Sequence, residues 1–162
     1  GGVTDAMTLH ETGSLELSNT LILEGYETGI AQSFTPTWEN LTVGNGTQYA
    51  FYIRVGQLCF WQVELVFGTT TSITGSHVAI DYPFACDSTW RGAIGGKCYF
   101  EDTSGTDWTG HLRRWNSTTA RVNSDRTNLT VGTSFEINST SPFTWTSTDR
   151  LVIEDTYIVP LI

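Results

Sequence analysis

The side chains able to do chemistry in this chain are three histidines, three cysteines and seventeen carboxylates. His10, His77 and His111 lie in unrelated segments, none with a ligand partner three or four residues away, and Cys59, Cys86 and Cys98 form no C-x-x-C pair. The spacings of a zinc site are therefore missing. Gly75-Ser76-His77 brings a hydroxyl next to an imidazole. It lacks the G-x-S-x-G elbow, and neighbours on a strand point to opposite faces, so Ser76 reads as a turn serine. The loop from Asp102 to Asp107 sets oxygen donors around a glycine. Without the acidic density of an EF-hand loop it reads as a solvated β-turn. Glycoside hydrolysis needs two carboxylates facing each other about 5–10 Å apart across one bond. Glu101-Asp102 and Glu154-Asp155 are sequence neighbours, which strands would turn to opposite faces. Gly92, Gly95 and Gly96 precede no helical pattern, so no phosphate cradle is present. These observations predict no catalytic residue, no metal and no cofactor.

Binding is the chemistry that remains. Six tryptophans are many for 162 residues. Trp90 stands beside Asp87 and Arg91, and Trp108 near Asp107 and His111, at loop or strand-end positions. An exposed indole beside carboxylates grips a sugar, its ring taking the C–H face and the polar groups taking hydroxyls. Two readings stand for these rings, a sugar platform or burial in the core. Arg113-Arg114-Trp115 reads as an inter-subunit contact, because Arg and Trp are enriched at interfaces. Asn40, Asn45, Asn116, Asn128 and Asn138 head N-x-S/T triplets. With Thr occurring 27 times, these read as chance matches to a glycosylation signal.

The elements that must carry these residues are short and extended. Tyr49, Phe51, Ile53 and Val55 alternate with Ala50, Tyr52 and Arg54, the two-residue period of a half-buried strand. Gly56-Gln57 separates this run from the apolar run 58–67, which predicts a β-hairpin. A third run, His77 to Tyr82, completes a predicted meander at the centre of one sheet. Further strands are predicted over Gly92–Glu101, with a bulge or close backbone approach at Gly95-Gly96, and over Trp108–Trp115 and Thr119–Val122. A last strand is predicted over Leu151–Val159, with Leu151, Ile153 and Tyr157 on its inner face. Residues 1–33 differ in texture: Thr4-Asp5 could cap a helical turn, and Ser14–Glu24 reads as one strand or two short ones. They read as an extended N-terminal arm, with Leu21 and Leu23 as oligomer contacts, or equally as an ordinary first strand. The pentapeptide NLTVG occurs at Asn40–Gly44 and again at Asn128–Gly132, but the residues that follow share little. Roughly ten strands with turns every 8–12 residues predict an all-β, antiparallel, jelly-roll-like sandwich over residues 34–162.

The phrases TPTWENLTVGNGT, YIRVGQLCFWQVELVFG, TTSITGS and SPFTWTSTDRLVIEDTY resemble a module recurring in tail and fibre proteins of tailed bacteriophages. The resemblance covers Phe34 to Tyr157 and contains no catalytic motif. It implies a virion structural protein made in the bacterial cytoplasm, displayed on the particle surface as a trimer among other virion proteins. At a tail tip or fibre end it would contact host-surface glycan or protein. A capsid decoration protein and a polysaccharide-cleaving fibre domain are the alternatives. A net charge of −9 fits that setting, since it repels phosphate backbones and anionic membranes and excludes nucleic acid as a partner. No window has the roughly 18 apolar residues of a membrane span. Folding in a reducing cytosol favours free thiols over a Cys86–Cys98 bridge, and Cys59 reads as a small buried hydrophobe.

Overall fold

Strands form wherever the two-residue alternation holds, and the alternation also decides which face of each strand is buried. The structure, a computed structural model, describes residues 7–9, 15–17, 29–87, 94–125 and 135–160. Among them there are fourteen strands and no helix. In chain order these are β1 (Met7–Leu9), β2 (Leu15–Leu17), β3 (Gln32–Ser33), β4 (Trp38–Glu39), β5 (Leu41–Thr42), β6 (Thr47–Val55) and β7 (Leu58–Val66). There follow β8 (Ser72–Ile73), β9 (Val78–Asp81), β10 (Ile94–Glu101), β11 (Trp108–Arg114), β12 (Thr119–Ser124), β13 (Phe135–Glu136) and β14 (Arg150–Ile158). The all-β, sandwich-like class expected from the sequence is the class observed.

One ten-stranded antiparallel sheet dominates, in the order β3-β6-β7-β14-β10-β11-β12-β9-β4, with β13 added alongside β12. Only four residues separate β3 from β4, yet they lie at opposite ends of that order. So short a link requires the sheet to curl until its ends approach. Trp38 Nε1 of β4 donates to Gln48 Oε1 of β6 at 2.6 Å across the gap. Inside the curl, Trp61 of β7 meets the Tyr82 ring that follows β9, with centroids 5.7 Å apart. Tyr82 in turn meets Tyr157 of β14 at 4.7 Å. A single core results, filled by the inward residues of both halves: Trp61, Val63, Leu65, Leu151 and Ile153 from one side, Val78, Ile80, Leu112 and Val122 from the other.

The hairpin across Gly56-Gln57 is present, with Gly56 at φ 59° in the left-handed region. Leu151, Ile153 and Tyr157 are buried as expected. Trp61 is fully buried, and Trp38 and Trp145 pack against the core. All three cysteines are buried and none is in a disulfide. Burial raises the thiols of Cys86 and Cys98 above their ordinary pKa, which keeps them protonated. The bulge at Gly95-Gly96 also appears, as a register shift between Ile94 and Lys97.

The meander is corrected. The third run, β9, does not join β7; it pairs with β12 and β4 on the other side of the curl. The place beside β7 is taken by β14, in register over nine residue pairs. The sheet does contain a meander, but it is β10-β11-β12. Next to the division at residue 33, β3 pairs with β6 and the Gly29 amide donates to the Arg54 carbonyl. Met7–Leu9 and Leu15–Leu17 form a separate small hairpin. Thr4-Asp5, Leu21, Leu23 and the second NLTVG lie outside the described residues.

Two of the N-x-T triplets, and the asparagine of a third, have a structural role. Asn116 Oδ1 accepts from the Thr118 and Thr119 amides at 2.8 Å and from the Thr118 hydroxyl at 3.0 Å. Asn138 Oδ1 accepts from the amide and hydroxyl of Thr140 at 2.9 and 3.1 Å. Asn45 Oδ1 accepts from the amide and hydroxyl of Thr70, pinning the turn after β7. The first two are turns in which the asparagine side chain mimics the backbone two residues on.

Candidate functional site

The outward positions of three adjacent central strands converge on one groove. On β10 they are Lys97 and Tyr99, on β11 Thr109 and His111, on β14 Val152 and Glu154. Register sets them in rows: Lys97 lies between Glu154 and His111, and Tyr99 between Val152 and Thr109. Asp125, just past β12, closes the far side. The cavity has a volume of about 470 Å³ and is lined by Lys97, Cys98, Tyr99, Thr109, Gly110, Asp125, Val152 and Glu154. A shallower depression of about 230 Å³ continues from Lys97 and Glu154 toward Gly96, Thr156 and Phe60.

Two anchors fix the groove's polar side chains. The Tyr99 hydroxyl donates to Asp107 Oδ2 at 2.5 Å, and that bond raises the phenol's pKa. His111 Nδ1 lies 2.6 Å from Asp125 Oδ1. The ionised carboxylate can only accept, so Nδ1 carries the proton. Lys97 differs from the arginines around it. Arg54 lies over the Phe84 ring and Arg113 over Trp115, while Arg114 pairs with Asp155, Arg121 with Glu136, and Arg150 with both Glu64 and Glu101. Among the described residues Lys97 is the cation left uncommitted, and it stands at the groove.

The bulge positions this lysine. At Gly96 a Cβ would sit 1.9 Å from the Glu154 carbonyl oxygen and 2.5 Å from Asp155 Cβ, so β10 can lie this close to β14 only with glycine there. Beneath the bulge, Asp155 points inward to Arg114 at 3.7 Å while Glu154 points outward, the opposite facing expected for sequence neighbours. Burial raises the Asp155 carboxyl above its ordinary range, and Arg114 opposes that shift.

The candidate binding residues fall in different places. Asp107 and His111 do not line the groove but each holds a residue that does, Tyr99 and Asp125 respectively. Trp108 belongs to the other face of β11 and packs against the core. Asp87 is distant, its amide bonded to the Ile158 carbonyl at the far end of β14. Trp90 and Arg91 lie outside the described residues. Of the candidate oligomer contacts, Arg114 is buried, whereas Trp115 is exposed and capped by Arg121 at 3.6 Å. His77 is held by Glu39 at 3.1 Å and Asn40 at 3.3 Å, with no role for Ser76. Asp102 accepts from the amide and hydroxyl of Ser104, closing its own turn. Among the described residues no group of three or more His, Cys, Asp or Glu is placed to hold a metal ion.

Sequence reasoning missed Lys97, Tyr99, Thr109, Asp125, Val152 and Glu154. Alternation assigns most of them to an outward face, but only the pairing of β14 with β10 brings them together. No protein-family model matches this chain, and neither a curated protein nor a solved structure matches it.

Proposed function

We propose that this chain is a non-enzymatic surface module of a tailed-phage virion, carried at a tail tip or fibre end, that holds a host-surface glycan in the Tyr99 groove. The observation that carries the reading is the pairing of a braced, exposed aromatic ring with uncommitted polar groups in one cavity. A pyranose has a C–H face and a rim of hydroxyls. Tyr99 and Val152 supply the apolar contact, Lys97 and Thr109 the donors, and Glu154 and Asp125 the acceptors. Because Asp107 fixes the phenol, little ordering of that ring is left to be done on binding. One ammonium beside two lining carboxylates favours a neutral or amino sugar over a polyanion.

Among the groove's described carboxylates, Glu154 is the one not engaged by a neighbouring side chain, which favours a binding role. Asp107 is engaged by Tyr99 and Asp125 by His111, leaving Glu154 as the lining's remaining carboxylate. Glycosidases need two carboxylates acting across one bond. The phage setting rests on the resemblance of 34–157 to tail and fibre modules, which also implies three copies side by side. Several weak sites on one particle then give tight net attachment.

The test is binding of the labelled chain to host cells and to their extracted surface polysaccharide. Tyr99→Ala and Lys97→Ala are expected to weaken binding about tenfold each, the loss of roughly 1.4 kcal/mol. Unchanged binding by folded variants would remove the groove from the reading. Release of reducing ends would overturn the non-enzymatic role, and antibody labelling of the head lattice would overturn the tail position.

A further inference from the structure

The hairpin β6–β7 carries a second surface feature, unrelated to the groove's chemistry. The outward residues of β6 are Tyr49, Phe51, Ile53 and Val55. Register places Val55 beside Leu58 and Leu58 beside Ile158, while Ile53 stands beside Phe60. Phe51 and Phe60 pack ring against ring, with centroids 6.0 Å apart. None of these seven side chains belongs to the core. Tyr49, Val55, Leu58 and Ile158 are exposed by 64, 56, 56 and 39%. We infer that this apolar strip is the face on which copies of this chain join.

Area and charge point to a second copy as the occupant. At roughly 200 Å² per large side chain, those four exposures leave about 400 Å² of apolar surface in water, before Phe51, Ile53 and Phe60 are added. A standard interface takes about 800 Å² from each partner, a little over half of it apolar, so the strip supplies the apolar share of one such face. The chain carries a net charge of −9, and two copies repel wherever their acids face each other. The seven strip residues are uncharged, with Glu64, paired to Arg150, opposite Tyr49 at one end. The strip is therefore where two identical anionic bodies approach with least repulsion. The same net charge repels an anionic bilayer, which argues against lipid as the occupant.

The experiment is the mass of the full chain in solution, by sedimentation and light scattering, over a wide concentration range without any glycan. The native chain is expected at a multiple of the chain mass. Val55→Glu with Leu58→Glu flanks the exposed turn and leaves the core untouched. It is expected to weaken association about a hundredfold, because the added carboxylates would be desolvated without partners. Tyr49→Lys, at the other end of the strip, repeats the test where the double variant fails to fold. A native chain at monomer mass throughout, or a folded variant keeping the native mass, overturns the inference. Since no ligand enters the measurement, its failure is distinct from failure of the glycan reading.

Discussion

Replacing Gly96 by alanine should force β10 and β14 apart, while the same change at Gly95 should be tolerated. A Cβ at Gly96 would lie 1.9 Å from the Glu154 carbonyl oxygen, whereas ordinary contact begins at 3.4 Å, so the two strands would have to separate by 3.4 − 1.9 = 1.5 Å. A backbone hydrogen bond stretched that far is lost. Two such bonds at about 1 kcal/mol each, together with about 1–3 kcal/mol of overpacking, give a loss of about 3–5 kcal/mol. At about 2–4 °C per kcal/mol for a chain of this size, Tm should fall by roughly 10 °C or more. Gly95 faces side-chain atoms instead, with Asp155 Oδ2 at 3.1 Å and Arg114 Nε at 3.4 Å from the added carbon. Small movements of those ends suffice, and the change should stay within about 1 kcal/mol, helped by alanine's smaller loss of backbone freedom. Urea titration and thermal melting of the two variants measure the contrast. Equal stability of Gly96→Ala and the native chain, or an equal loss in Gly95→Ala, would refute the close-approach account. The groove supplies a second readout, since Lys97 follows the bulge directly and Gly96→Ala should weaken ligand binding along with stability.

Asp149 is fully buried and accepts from the amide and hydroxyl of both Thr103 and Thr146 at 2.6–3.1 Å. Asp149→Ala leaves those donors short of a partner and should cost about 2–4 kcal/mol in urea unfolding; a loss below about 1 kcal/mol would mean that water replaces the carboxylate. The Tyr157 hydroxyl donates to the Phe84 carbonyl at 2.9 Å and receives the Phe84 amide at 3.1 Å. Tyr157→Phe should therefore lose about 1–3 kcal/mol and speed hydrogen exchange at the Phe84 amide, and unchanged exchange there would refute the tie. Asp155 has its carboxyl raised from the ordinary 3.8, chiefly by burial. A raised acid stabilises the folded state fully below its unfolded pKa, and that contribution is lost as pH rises through the folded value. The unfolding free energy of the native chain relative to Asp155→Asn should thus decline as pH rises from just below 4 upward; a flat or rising difference across that window contradicts the assignment.

The strands were legible in the sequence, and so was which residues of a strand share a face. The buried face of β6 was not, since the more apolar set Tyr49, Phe51, Ile53 and Val55 turns outward while Ala50, Tyr52 and Arg54 turn inward. The alternation in 49–55 and 151–159 is a local property, because successive Cβ atoms on an extended backbone must point to opposite sides. It was enough to place Leu151, Ile153 and Tyr157 inside, to turn Glu154 and Asp155 apart, and to set the hairpin at Gly56-Gln57. The glycine pair at 95–96 was legible for the same reason, since a strand interior keeps glycine where a bulge or a neighbouring backbone needs the space. Trp108 shows the limit: its polar neighbours in the chain suggested an exposed ring, but strand parity sends it to the core side of β11.

What the chain order does not contain is which strand lies beside which. β9 is the next strand of the large sheet after β7 in the chain, with only β8 between them, yet β14, more than eighty residues further on, takes the place beside β7. That choice depends on which inner faces fill one core together and on where the curled sheet closes. These are properties of segments far apart in the chain, and no local period records them. The groove is a product of the same choice, because Lys97, Glu154 and His111 share a row only once β10 lies between β14 and β11. Sequence alone determined the extended elements and which residues share a side; the tertiary structure decided which side is buried and which strands are neighbours, and with them the groove.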